Sequence, residues 1–296
     1  MDSYFPQFTN YLKDKKKMAA NSITAYLRDL REYAAFLDEK QTGAPTDATE
    51  ADVAAYLLKL KQENRTAATV NRKLASIRAF YKFTNKLGIM STNPATEIKT
   101  PKIARKEIEY LTIAEVEKLL AQPGDTVKGL RDTAILEALY ATGLRVSELI
   151  ETNVDDVNLR MGFITCNGEH GKARIIPLGR PARAALEVYI YEDRGKLLRG
   201  KKDEEKALFL NYYGERITRQ ALWKILKGYA AQAGIEKKIT PQTLRNSFAV
   251  HMIQNGADLK SLQELLGHED LAATQIYLSV SKNRIKDVYD RAHPRA

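Results

Sequence analysis

Thr240-Pro241-Gln242-Thr243-Leu244-Arg245-Asn246-Ser247-Phe248-Ala249 reads as the opening of a helix, with the proline at its first position. Gln242 and Arg245 are three residues apart and share a face, which sets a guanidinium beside a hydrogen-bonding amide. Upstream, Thr142-Gly143-Leu144-Arg145-Val146-Ser147-Glu148-Leu149 puts a second arginine just after a glycine break, at a helix start. There the guanidinium fork can grip two oxygens of a phosphodiester while the helix N-terminus adds to the field. Glu148, one turn on, can hold Arg145 in place; a plain surface ion pair is the alternative.

Two more patterns flank these. Gly168-Glu169-His170-Gly171-Lys172-Ala173-Arg174 lies between two short runs, Phe163 to Cys166 and Ala173 to Leu178, that read as a β-hairpin. A lysine on such a turn can reach over a groove and donate a proton, although turn lysines are common. Leu262-Gln263-Glu264-Leu265-Leu266-Gly267-His268 ends a helix at Gly267 and leaves His268 on the turn. Nine residues on, Tyr277 sits in a short helical segment, and as one of fifteen tyrosines it is unremarkable by itself.

Further out, the chain of 296 residues divides near a break from Ser91 to about Lys106, where Asn93-Pro94 and Thr100-Pro101 suit neither helix nor strand. The expected layout is a helical domain over 1–90, a linker over 91–108 and a second domain over 109–296. Four helices are expected before the break. They cover Tyr4 to Leu12, Ser22 to Lys40 with Ser22 as N-cap, a stretch from Thr49, and Thr66 to Lys86 ending at Gly88. After it, Thr112-Ile113-Ala114-Glu115 is a capping box, a long helix covers Leu130 to Ala141, and Leu208-Phe209-Leu210 is expected as a third short strand. The class is therefore mainly α with a small β-sheet.

Composition narrows the function. The hydrophobic fraction of 44% builds a core, and no apolar run is long enough to span a bilayer. The N-terminus lacks a secretory signal pattern, and the single Cys166 makes neither an internal disulfide nor a cysteine-rich zinc site, so an intracellular protein is expected. The formal charge is +10, of which +7 falls within residues 1–108. That surplus points to a polyanionic partner. Arg28, Arg72, Lys73 and Arg78, with Arg31 and Lys82, are the candidate phosphate contacts of the first domain, although a solvated surface explains any one of them.

The order Arg145, Lys172, Arg245, His268, Tyr277, with its local sequences, resembles the tyrosine recombinase (phage integrase) family, and is most similar to its Xer type. The resemblance spans nearly the whole chain. It implies a SAM-like helical core-binding domain and an α+β catalytic domain forming a C-shaped clamp on double-stranded DNA. It also implies a tetramer on the core site, built from this chain alone or with a second recombinase, and leaves room for a DNA translocase as activator. The tail from Ser281 to Arg291 would dock on a neighbouring protomer, and the length leaves no place for an arm-binding domain. A cytoplasmic, nucleoid-associated protein needing no metal or other cofactor is implied.

In that resemblance Tyr277 is the nucleophile that forms a 3′-phosphotyrosyl bond, and Arg145 and Arg245 stabilise the charge on phosphorus. Lys172 protonates the leaving 5′-oxygen, and His268 donates to a phosphate oxygen. Gln242 stands where the family usually has a histidine, as does Asn246, and Glu169 and His170 stand where it commonly has Lys and Gly. An amide cannot titrate, so Gln242 can position but cannot act as a base. The expectation is a competent but slower recombinase acting at a dif-like site to resolve chromosome or plasmid multimers. An integrase or excisionase of a mobile element, a DNA-binding relative that has lost cleavage, and a topoisomerase of the same chemistry remain alternatives.

Overall fold

The computed structural model describes residues 4–102, 107–168, 173–198 and 205–278. Its chain contacts divide it into two compact units, Met1–Lys106 and Glu107–Ala296. Among the described residues no helix is long and apolar enough to cross a membrane.

The first unit contains helices α1 (Phe5–Asn10), α2 (Ala20–Glu39), α3 (Glu50–Gln62) and α4 (Ala67–Lys86). Thr49 and Thr66 cap α3 and α4 by accepting the Asp52 and Thr69 amides. Helix α2 begins earlier than Ser22: Ala19 holds the N-cap position without a side-chain bond, so Ser22 falls in the first turn. The core is rich in aromatics, with Phe8 against Phe80 and Phe83, and Tyr33 against Tyr56 and Tyr81. Asp29 is fully buried beneath α4, where Arg72 and Lys73 pair with it and the Ser76 hydroxyl donates to it at 3.0 Å. The segment after α4 is strapped to that helix: Arg78 donates to the carbonyls of Ala95 and Ile98, and Asn71 to that of Pro101.

The second unit opens with α5 (Ile113–Leu120), where Thr112 and Glu115 complete the capping box. Then follow α6 (Val127–Thr142) and α7 (Val146–Glu151). Strands β1 (Val157–Asn158), β2 (Phe163–Asn167) and β3 (Ala173–Pro177) form an antiparallel sheet in the order β1-β2-β3, with Ile164 opposite Ile176. Helices α8 (Arg180–Val188), α9 (Arg194–Leu197), α10 (Arg219–Gln232), α11 (Pro241–Gln254), α12 (Leu259–Leu266) and α13 (Ala272–Gln275) complete it. The central helix α6 packs against α8 and α11.

The third strand is β1, a two-residue run too short to carry a sequence signal, and around Leu208-Phe209-Leu210 there are only isolated bridges, at Ala207 and at Leu210. The reason lies in its carbonyls. Arg194 donates to those of Ala207 and Leu208, Arg131 donates to that of Leu210, and the Tyr189 hydroxyl accepts the Leu210 amide. Buried side chains thus satisfy much of a segment that a strand partner would otherwise have to pair.

Candidate active site

The site is assembled from a strand and the ends of several helices in the second unit. Helix α6 stops at Gly143, whose φ of +59° lets the chain turn sharply. That turn makes Arg145 the N-cap residue of α7. Glu148, 7% exposed, accepts the Arg145 amide at 2.7 Å and the Arg145 guanidinium at 2.9 Å. Arg174 from β3 forks onto the same carboxylate, at 3.0 and 2.8 Å. Burial pushes Glu148 toward its protonated form, but the bonds from Arg174 and Arg145 outweigh it and hold the carboxyl at about 2.

The C-terminus of α12 gathers the arginines from the other side. Its carbonyls carry the negative end of the helix dipole and lack helical partners. Arg174 donates to Leu265 O at 2.9 Å, Arg245 to Leu266 O at 2.7 Å, and Arg145 to Gly267 O at 3.1 Å. Arg245, on α11 and 3% exposed, also donates to the Gly143 carbonyl. Burial and the nearby Arg145 charge lower it to about 10, still cationic at neutral pH. Three guanidiniums thus converge on one carboxylate, and the surplus positive charge suits an anionic ligand.

His268 follows α12 directly. Its Nε2 stands 3.0 Å from Arg245 Nη2 and its Nδ1 2.8 Å from the Thr274 hydroxyl. Arginine can only donate, so Nε2 accepts and Nδ1 carries the proton of the neutral ring. Burial, followed by repulsion from Arg245, Arg145 and Arg174, lowers His268 to about 4.

Tyr277, in the turn after α13, is 1% exposed and packs into an apolar cluster with Phe248, Ala249, Leu262 and Leu266. Its hydroxyl donates to Asn246 Oδ1 at 3.2 Å. Burial raises the phenol above its ordinary value, while Arg245 and Arg145 pull it back down.

Arg145, Glu148, Arg245 and His268 are therefore brought into one bonded network, and Tyr277 joins α11 one residue from Arg245. Gln242 is exposed and reaches Asn246 at 3.0 Å through Nε2. A cleft of about 620 Å³ is lined by Arg145, Arg174, Gly267, His268 and Ala273, among others. Another of about 400 Å³ is lined by Arg145, Gln242, Arg245, Arg219 and Trp223 among its residues. Lys172, Glu169 and His170 lie outside the described residues, as does the tail from 281 to 291.

Sequence reading singled out neither Arg174 nor Thr274 for the site. Arg174 had one signal: it is a basic residue two positions after Lys172, within the same motif. Among the described residues, no group of three His, Cys, Asp or Glu side chains is placed to hold a metal. Burial raises the Cys166 thiol to about 11, which keeps it neutral.

The basic residues of the first unit separate into two kinds. Arg28 is exposed on α2. Lys73 departs from the expected polar face, because it is 3% exposed and its charge is spent on Glu32 and Asp29. Arg72 is committed to Asp29 and Arg78 to the carbonyls of the strap.

Comparison with known proteins finds relatives along the chain. Residues 109–284 match the phage integrase family, and residues 5–86 match the phage integrase N-terminal SAM-like domain. Tyrosine recombinase XerD of Listeria innocua serovar 6a is 46% identical, covering 100% of both chains. XerD of Oceanobacillus iheyensis is 45% identical, covering 98% of this chain and 97% of its own. The fold is shared with XerH site-specific recombinase bound to a palindromic difH substrate in a post-cleavage complex. The TM-score is 0.72 at 19% identity, covering 96% of this chain and 94% of that one. Matches over both of its units and along its full length place this chain in the phage integrase family, among the tyrosine recombinases.

Proposed function

We propose that this protein is a site-specific DNA recombinase that cuts and rejoins strands through a 3′-phosphotyrosyl intermediate, with Tyr277 as nucleophile. The observation that supports this most is the convergence of Arg145, Arg174 and Arg245 with His268 around the single carboxylate of Glu148. A phosphodiester entering there meets donors already in place, and the extra charge of the pentacoordinate transition state strengthens each contact. Tyr277 Oη attacks phosphorus, the bond from phosphorus to the 5′-oxygen breaks, and the phenol proton passes to water. Lys172 supplies the proton that the 5′-hydroxyl carries away. Attack by a 5′-hydroxyl from the partner strand reverses the step and frees Tyr277, so bond energy is conserved through the exchange.

His268 contributes in two states. In the free protein it accepts from Arg245; a phosphate beside it favours the protonated ring, which then donates through Nε2. Likeness to the XerD proteins supports a dif-type chromosomal site as target and resolution of chromosome or plasmid multimers as the role. The working assembly is a tetramer on double-stranded core DNA, of this chain alone or with a second recombinase, with a DNA translocase as activator. The cell compartment is the cytoplasm, at the nucleoid. A mobile-element integrase would use the same residues at a different DNA site.

The test is covalent trapping on a duplex carrying a dif-type core site, nicked so that a short fragment diffuses away after attack. Wild type should give a protein–DNA adduct on a denaturing gel, and Tyr277→Phe should give none while still binding the duplex. Specific binding with no wild-type adduct would point instead to a DNA-binding relative.

A further inference from the structure

The two amides that stand where the family has histidines are not equivalent. Asn246 Nδ2 donates to the Glu109 backbone carbonyl at 3.0 Å, and its Oδ1 faces Gln242 Nε2 at 3.0 Å and the Tyr277 hydroxyl at 3.2 Å. Rotating the Asn246 amide by half a turn would set its oxygen against the Glu109 carbonyl, two acceptors face to face. The carbonyl therefore decides which end of the amide meets Tyr277. With Oδ1 so directed, Gln242 has to present its NH₂ group and Tyr277 has to donate. Gln242 itself is exposed and bonds to Asn246, one helical turn on.

We propose that Asn246, rather than Gln242, positions the nucleophile: its amide oxygen, oriented by the Glu109 carbonyl, holds the Tyr277 hydroxyl by accepting its proton in a hydrogen bond. Gln242 steadies that amide from the solvent side. The cradle has no titrating group, so it orients the phenol without removing the proton, which leaves to water when phosphorus is attacked. The Tyr277 ring is fixed by the apolar cluster around Phe248 and Leu266, leaving the hydroxyl as the end that a polar partner directs. This rests on Tyr277 being the nucleophile.

The order of effects tests it. Single-turnover adduct formation on the nicked duplex is compared, with duplex affinity measured alongside, for wild type, Asn246→Leu, Asn246→His and Gln242→Leu. Losing a hydrogen bond to the reacting hydroxyl should slow Asn246→Leu about tenfold or more, and losing only the outer support should slow Gln242→Leu by no more than about threefold. Asn246→His offers a ring nitrogen to the same proton and should stay within about threefold of wild type. Duplex affinity should be unchanged in all three.

A rate for Asn246→Leu equal to or faster than wild type overturns the proposal, as does a larger loss in Gln242→Leu or an equal loss of affinity. No adduct from wild type would instead overturn the nucleophile reading, and the inference with it. A second readout needs no DNA. With ¹³Cζ-labelled tyrosine, assigned through Tyr277→Phe, the Tyr277 resonance of the folded protein should shift in Asn246→Leu and barely move in Gln242→Leu. An unmoved resonance in Asn246→Leu overturns the proposal by itself.

Discussion

At His268 the resting site and the working site make opposite demands. The free protein keeps the ring neutral, with the Nε2 lone pair turned to Arg245 and the Nδ1 proton donated to the Thr274 hydroxyl. Its value in the fold, about 4, lies below the ordinary 6.5, so the unfolded chain binds the proton more readily than the folded one. This contribution to stability is complete above about pH 6.5 and is lost as the pH falls toward 4. The urea midpoint should therefore drop between pH 6.5 and 4 in wild type and drop less in His268→Gln. Sulfate, as a stand-in for the phosphodiester, should reduce that drop by favouring the protonated ring. A slope identical in the two proteins would show that other groups carry the acid sensitivity. Glu148 acts in a lower window, between 4.5 and about 2, because its arginines hold it ionised.

Among the elements, the breaks between helices aim the chemistry. Gly143 lets α6 turn into α7, and a Cβ built there would lie 2.4 Å from the Phe248 ring on α11. Gly143→Ala therefore meets both an unfavourable φ and a packed aromatic. Gly88, after α4, also has a positive φ, of +73°, but a Cβ there meets nothing within 4 Å. We expect Gly143→Ala to cost about 3 kcal/mol and Gly88→Ala about 1 kcal/mol in chemical denaturation. Duplex affinity should fall only in the first, since the turn at Gly143 also sets Arg145 and supplies a carbonyl to Arg245. Equal costs would mean that the contact with Phe248 relaxes freely. At the end of α12, Gly267 plays a similar part, because a Cβ would meet the Arg174 guanidinium at 2.7 Å.

As a whole molecule the chain carries separate cores. The first unit buries Phe8, Tyr33, Leu74, Phe80 and their neighbours in a cluster made of its own residues, and its strap after α4 is part of the same packing. A fragment of residues 1–106 should fold alone and unfold cooperatively, as followed by far-ultraviolet circular dichroism with denaturant. A broad, non-cooperative melt would show that it depends on the rest of the chain. A cut at residue 90 removes the carbonyls that Arg78 binds at Ala95 and Ile98, and should give a less stable fragment.

Local patterns determined much of this protein. Helical periodicity and capping residues located most of the helices, glycine breaks marked where Arg145 and His268 emerge, and the order of five chemistry-bearing residues pointed to the family. Such signals are legible because they depend on neighbours within a turn or two. What the tertiary structure alone decided depends on groups far apart in sequence. Lys73 reads as a surface cation until Asp29 and Glu32, brought from α2, take its charge inside. Leu208-Phe209-Leu210 reads as a strand until Arg194 and Arg131 occupy its carbonyls. Asn246 reads as a lost histidine until Glu109, 137 residues away, turns its oxygen toward Tyr277. In each case a long-range hydrogen bond or ion pair settles where a polar group points: at Lys73 and at Leu208–Leu210 because burial makes an unpaired group too costly to keep, and at Asn246 because an amide oxygen cannot face a carbonyl.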